Sequence, residues 1–416
     1  MAEAAPPGRE ADPEVWSGVS AAVDVAIAGA GPAGVAAALT LARHGFEVAL
    51  VDRARFPRDK PCGEGLLPSA VAALERLGVY ERVRASGCPL DGIGFSFALG
   101  EDAPSASAPF RDRAGAPALG LGIARRVLDA ALVDAARRAP GVTVLDGVSV
   151  SGVIIDGDGD GDGGGERGRA AGLLTAVGPI RARAVVVADG LRSPLRRQLG
   201  LDAPPARRQR LGVRAHFLVP SLPFGRRVQV LLDGPVEYYL TPVGEHALQV
   251  AVLGSRRAFV ERSLSAATLL AHLAEHPAMA AILDGARPLD RPLGAGPLER
   301  RARAVFAPGV LLAGDAAGYV DAITGEGVGL ALESGIAAGE VLAAALPDAD
   351  ARALAPYARL HDTVVHDAER LTRFVLFCAE RPWLARRMIE ALARRPSLFA
   401  RLLTVQAGAP LASVFF

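Results

Sequence analysis

Three glycines in six residues, set between two short apolar runs, leave the N-terminal part of this chain few ways to fold. Val23-Asp24-Val25-Ala26-Ile27-Ala28 is short and rich in β-branched residues, and reads as a strand. Gly29-Ala30-Gly31-Pro32-Ala33-Gly34 follows, and Val35 to Ala42 continues as an apolar helix ended by His44-Gly45. Phe46 to Val51 then reads as a second strand that finishes on Asp52. Strand, glycine turn, helix, strand and acid, with the acid about 20 residues on, is the pattern of a dinucleotide site. Gly29 serves the tight turn, Gly31 admits a pyrophosphate, and Gly34 lets helix pack on strand. Pro32 and Ala33 open the helix, whose N-terminus offers N–H groups and partial positive charge to the phosphates. Asp52 accepts from a ribose, with Arg53 beside it. Val25 to Ala42 is also apolar and uncharged, yet its central glycines and proline argue against a membrane span.

A second glycine stretch lies far downstream. Val310 to Ala313 reads as a strand, followed by Gly314-Asp315 and by Thr324-Gly325-Glu326-Gly327-Val328-Gly329 opening an apolar helix. Two further elements lie between. Val185-Val186-Val187-Ala188 runs into Asp189-Gly190-Leu191-Arg192-Ser193-Pro194, and Ile123-Ala124-Arg125-Arg126-Val127-Leu128-Asp129 precedes them. Together these four elements resemble the FAD-dependent oxidoreductases that include aromatic hydroxylases, geranylgeranyl reductases and flavin-dependent halogenases.

The resemblance implies an α/β fold: a discontinuous Rossmann-like FAD-binding domain, a β-sheet substrate domain and C-terminal helices. It implies FAD as cofactor, with Asp315 beside Gly314 at the ribityl chain. Gly327 and Val328 then lie at the flavin ring, where a positive helix end stabilises negative charge on reduction. Arg125 matches an FAD-contacting position, and Asp189 positions FAD or a nicotinamide cofactor, or only fixes its turn. Lys60-Pro61-Cys62-Gly63-Glu64-Gly65 resembles a Cys-Gly loop that lies near the flavin in the reductases and related hydroxylases. That places Cys62 and Gly63 by the ring; Cys62 is a pocket candidate, although packing also accounts for a lone thiol.

With 416 residues the chain is longer than one core usually holds. The pieces divide it into a tail (1–20), an FAD-binding domain (20–90, 120–200 and 296–345), a substrate domain (91–119 and 201–295) and a helical region (346–416). In the substrate domain Val228 to Leu232, Glu237 to Leu240 and Ala247 to Leu253 read as strands, and Ile93 to Leu99 alternates as another. Alternation sends one of Tyr238 and Tyr239 into a pocket. His216 and His246 read as structural histidines. The Asp–Gly run from Asp156 to Gly165 reads as a hairpin tip, because Arg167 stands where a calcium loop needs glutamate. No metal site is expected.

Net charge is +1, which gives no reason to expect nucleic acid. Three cysteines and an acidic, proline-containing N-terminus without an apolar core point to a reducing cytoplasm. Three reaction classes follow from the resemblance. The Trp-x-Trp-x-Ile-Pro motif of the halogenases is absent. The reductases carry Tyr-x-Trp-x-Phe-Pro, where this chain has Tyr238-Tyr239-Leu240-Thr241-Pro242 without the tryptophan. The Thr324-Gly325-Glu326-Gly327 sequence, in contrast, is shared with the reductases. The expectation is an NAD(P)H-using monooxygenase that takes molecular oxygen and a hydrophobic aromatic or polyketide-like substrate. The alternatives are a reductase of carbon–carbon double bonds and a flavin electron-transfer subunit. Phe374, Phe377, Trp383, Phe399 and Leu403 pack on the protein, roof a substrate channel or touch a membrane surface; their spacing leaves these open.

Overall fold

The computed structural model describes residues 22–97, 104–157, 168–206, 208–346, 351–406 and 408–414. The expected tail and the tip of the Asp–Gly hairpin lie outside them. Five parallel strands form the centre of the first sheet, in the order Val310–Leu312, Gly178–Val187, Ala22–Ala28, Val48–Asp52 and Val142–Asp146. The first strand is central, and Val25 to Ala28 are buried on both faces, as an unbroken apolar run requires. Pro32–Arg43 crosses over to the second strand and packs against the long helix Gly327–Ala345. That helix is long and apolar enough to cross a membrane, but its small residues lie in the core: Gly335 and Gly339 meet Ala33 and Thr40 of the first helix. Val150–Asp156 and Arg169–Thr175 pair antiparallel, and the latter pairs antiparallel with the start of Gly178–Val187.

The second sheet comes from Gly92–Phe97, Ser105–Pro109 and the strands between Arg210 and Ala295. Its register separates two faces. Arg214, His216, Gln249, Tyr239, Thr241, Val230 and Phe95 share one face, read across the pairs Arg214↔Ala251, His216↔Gln249, Tyr239↔Ala251, Thr241↔Gln249 and Val230↔Phe95. The other face, with Val213, Phe217, Tyr238 and Val252, is covered by the helices Leu269–Glu275 and Pro277–Ile282. Proline opens each of the last three long helices (Pro356–Ala379, Pro382–Arg394 and Pro396–Gln406), where its missing N–H costs nothing. Phe399 and Leu403 bury against the first face of the substrate sheet, with Phe399 and Phe95 rings 5.8 Å apart. Phe374, Phe377 and Trp383 stay 57%, 46% and 66% exposed, so the five residues divide between two roles.

Candidate active site

The carboxyl ends of the parallel strands converge on one edge. Gly29 takes φ +104°, and a Cβ there would lie 2.3 Å from the Ala188 carbonyl oxygen. A Cβ on Gly34 would lie 1.8 Å from the Gly29 oxygen, so both positions require glycine. Gly31 differs: its nearest neighbour is the Arg58 guanidinium at 3.7 Å, which leaves the helix end open. Pro32, Ala33 and Gly34 form a buried first turn that carries no acid and no side-chain cap. Its free N–H groups and positive end suit an anion. Asp52 braces this loop, Oδ2 accepting from the Ala30 N–H and Oδ1 from the Ala54 N–H, each at 2.8 Å. Arg53 beside it is exposed.

Asp189 follows the neighbouring strand. Its Oδ2 accepts the Leu195 N–H at 3.4 Å, while Oδ1 is buried without a partner. Burial pushes its carboxyl up, against hydrogen bonds from Ser193 and Leu195. Gly314 lies against Ala33 and donates its N–H to Ser334 Oγ at 2.8 Å. Asp315 sits 3.7 Å from Lys60 Nζ, and Gly327 and Val328 begin the long helix. An open helix end, a glycine cradle and an orphaned carboxylate oxygen fit a bound dinucleotide.

Sequence reasoning missed Tyr319 and undervalued Glu326. A cleft is lined by Asp315, Tyr319, Glu326, His361, Glu369 and Thr372, among others. Glu326 is 6% exposed and its Oε2 has no partner. Burial pushes its carboxyl up to about 7, opposed by a hydrogen bond from Thr324. It immediately precedes the helix N-terminus, which favours the ionised form, so desolvation prevails. A carboxyl among three glycines offers a sequence signal, but only burial tells its state. Nearby, buried Arg210 donates to Asp321 Oδ2 at 2.8 Å and to Glu237 Oε2 at 2.7 Å. Burial lifts the Glu237 carboxyl to about 7 despite Arg210.

The Cys62 loop is clamped to the substrate sheet. Gln249 donates to the Cys62 carbonyl at 2.9 Å, and Glu64, at φ +59°, points inward fully buried. Glu64 Oε1 accepts the Arg125 N–H at 2.8 Å. The buried Arg125 side chain is held by Asp129 through two hydrogen bonds, at 2.9 and 2.8 Å. His216 Nε2 meets Glu64 Oε2 at 2.5 Å and its Nδ1 meets Asp290 Oδ2 at 2.6 Å. A carboxyl group at each nitrogen favours the imidazolium, in which both nitrogens donate. Burial alone would lower its pKa; the hydrogen bonds of Glu64 and Asp290 outweigh that and raise it, against Arg214. Gly63 is exposed, and Cys62 half-buried.

His216 is therefore a clasp between the Cys62 loop and the second sheet. Its contribution is fully present below about pH 6.5, the unfolded value, and lost as pH rises through the higher folded value. Chemical denaturation at several pH values checks this; His216→Ala should cost roughly 3–5 kcal/mol at low pH and flatten the dependence. A stability curve unchanged by the substitution contradicts the clasp. His246 is exposed at a turn.

One correction concerns the tyrosines. Tyr238 is not a pocket residue: it lies under the outer helices, its hydroxyl 2.7 Å from His272 Nε2 and its ring 4.9 Å from that of His276. Strand parity puts Tyr239 on the opposite face, where its hydroxyl donates to the Ile323 carbonyl at 2.9 Å. His272 and His276 are four apart on the sequence, a spacing the sequence reading passed over; His276 pairs with Asp233 at 3.1 Å.

Residues 22–372 match the family model described as FAD binding domain. The menaquinone reductase of Mycobacterium tuberculosis is 37% identical over 187 residues, 44% of this chain and 41% of that protein; that match spans less than half the relative's length. Digeranylgeranylglycerophospholipid reductase 1 of Methanothermobacter thermautotrophicus is 29% identical over 81% of this chain and 82% of its own. A 6-methylpretetramide 4-monooxygenase of Streptomyces rimosus is 31% identical over 77% and 75%. Among solved structures, a flavoprotein/dehydrogenase of Cytophaga hutchinsonii superposes with a TM-score of 0.78 at 24% identity, covering 93% of each chain. The flavin-dependent brominase Bmp2 gives 0.79 at 20% identity, covering 93% of this chain and 94% of its own; both share the fold.

Proposed function

The chain belongs to the FAD-binding domain family of flavoprotein oxidoreductases, and we propose that within it this protein is a reductase adding hydrogen across a carbon–carbon double bond of an apolar, prenyl-type or quinone-like molecule. Such a reaction needs a hydride and a proton at adjacent carbons. Bound FAD, reduced by NAD(P)H, supplies the hydride. Gly29, Gly31, Gly34 and Asp52 would hold the nucleotide half; Gly314, Asp315 and the Gly327–Val328 helix start would hold the flavin half.

The observation that carries the reading is Glu326. A carboxyl with a pKa of about 7, lining the cleft with one oxygen unpartnered, is a proton donor poised at neutral pH. Tyr319, whose hydroxyl burial holds well above its ordinary value, remains neutral beside it. Val320 lines the same cleft and packs with Ile323 and Tyr239 in one apolar cluster, surroundings that favour a dry site. The two reductase relatives support this choice over the oxygen transfer expected from the sequence, where the tryptophan of the reductase motif is missing. The 6-methylpretetramide relative favours a second reading, oxygen transfer to an electron-rich ring.

Anaerobic assay separates them. The dithionite-reduced holoprotein should return to its oxidised absorbance when given a geranylgeranyl lipid, which holds no other electron acceptor, without oxygen. Retention of the reduced spectrum with this probe, and reoxidation only on admitting oxygen, would support the second reading.

A further inference from the structure

We propose that the aromatic and basic face formed by the helices Pro356–Ala379 and Pro382–Arg394 is a docking surface for an anionic lipid bilayer. Three large aromatic side chains are exposed there over roughly half or more of their surface. Phe374 and Phe377 are three apart on one helix, and Trp383 follows across the turn at Glu380 and Arg381. Lone exposed apolar residues need no explanation, but three within ten positions form a feature. Tryptophan and phenylalanine suit the boundary between head groups and acyl chains.

The charge around them says which surface they meet. From Glu369 to Arg401 the chain has eight arginines and three glutamates and no other charged residue, an excess of five. The whole protein carries only +1, so positive charge is concentrated on this segment. Each glutamate is already answered: Glu369 by Arg373, Glu380 by Arg208 and Glu390 by Arg386. Arg370, Arg387, Arg394 and Arg395 are exposed and make no ion pair among the described residues. The Arg381 guanidinium lies 3.9 Å from the centre of the Phe377 ring, a cation–π stack that presents aromatic and charge together. Unpaired arginines beside exposed aromatics complement phosphate-bearing, negatively charged lipid.

The buried side of the same helices closes the substrate sheet. Ala385, Ile389, Phe399 and Leu403 pack in one cluster with Phe95, Val230 and Tyr239. The proposed bilayer contact therefore sits on the outer side of the wall that closes the substrate domain, a suitable place to receive a lipid-phase molecule. The surface stands whether the reaction is reductive or oxygenating.

Flotation of the full-length holoprotein with vesicles tests it. Vesicles of phosphatidylcholine mixed with an equal part of phosphatidylglycerol should carry the protein upward, and pure phosphatidylcholine should carry little. Moderate salt should weaken the binding. Replacing Phe374, Phe377 and Trp383 together by alanine should reduce the partition at least about tenfold with FAD content unchanged. The pair Arg387→Glu and Arg394→Glu, which leaves the aromatics in place, should do likewise. Failure of the native protein to float with anionic vesicles overturns the proposal, as does undiminished flotation of both variants. A dimer in sedimentation velocity that the aromatic variant dissolves, without vesicle binding, overturns it in favour of a second copy of this chain.

Discussion

Replacing Glu326 by glutamine lowers turnover by about 10² to 10⁴, the usual contribution of a positioned proton donor, while the protein keeps its FAD. Glutamine matches the shape and can occupy the same place beside Thr324, but it has no acidic proton to give. The wild-type rate depends on the protonated carboxyl, so it falls as pH rises through about 7, where burial has placed this group. The variant has no such limb. Single-turnover rates across pH, with FAD content measured alongside, read both effects. A rate within a few-fold of the native value and an unchanged pH profile contradict the role assigned to Glu326.

Two substitutions in the glycine turn separate folding from cofactor binding. In Gly34→Val the new Cβ would fall 1.8 Å from the Gly29 carbonyl oxygen and 3.0 Å from its carbon. Both are backbone atoms at the centre of the sheet, so no side chain can yield. The expected cost is roughly 4 kcal/mol or more, seen as insoluble protein or a much lower melting temperature. Gly31→Val is different, because φ there is −78° and only the flexible Arg58 side chain is near. That variant should fold with a near-native melting temperature. Its side chain, however, covers the open helix end, and FAD affinity should drop by about 100-fold, roughly 2.7 kcal/mol. Absorbance after desalting measures this. A yellow Gly31→Val protein contradicts the placement of the pyrophosphate.

What could be read from sequence followed the range of the physics involved. The glycine turn, the strand before it and Asp52 are local, and their spacing alone specifies them. Ile93 could be assigned to the substrate sheet from its alternation, although its pairing partner Val228 lies far along the chain. The inward-facing tyrosine could not be chosen, because parity says only that Tyr238 and Tyr239 face opposite ways. Which face meets the flavin domain depends on the register of the whole sheet. His216 and Glu64 are 152 residues apart, so nothing in either neighbourhood announces the clasp. Glu326 stood in plain view among glycines, yet a carboxyl becomes a proton donor at neutral pH only when water is removed from it. The C-terminal aromatics share one composition, and only packing divides buried Phe399 from exposed Trp383.

The most direct test of the reductive reading is product mass under isotopically labelled dioxygen, with the holoprotein, NADPH and a geranylgeranyl lipid. The account predicts a product heavier by two hydrogens and free of label, formed equally well when oxygen is withheld. A product carrying one labelled oxygen atom, and none formed without oxygen, would contradict it.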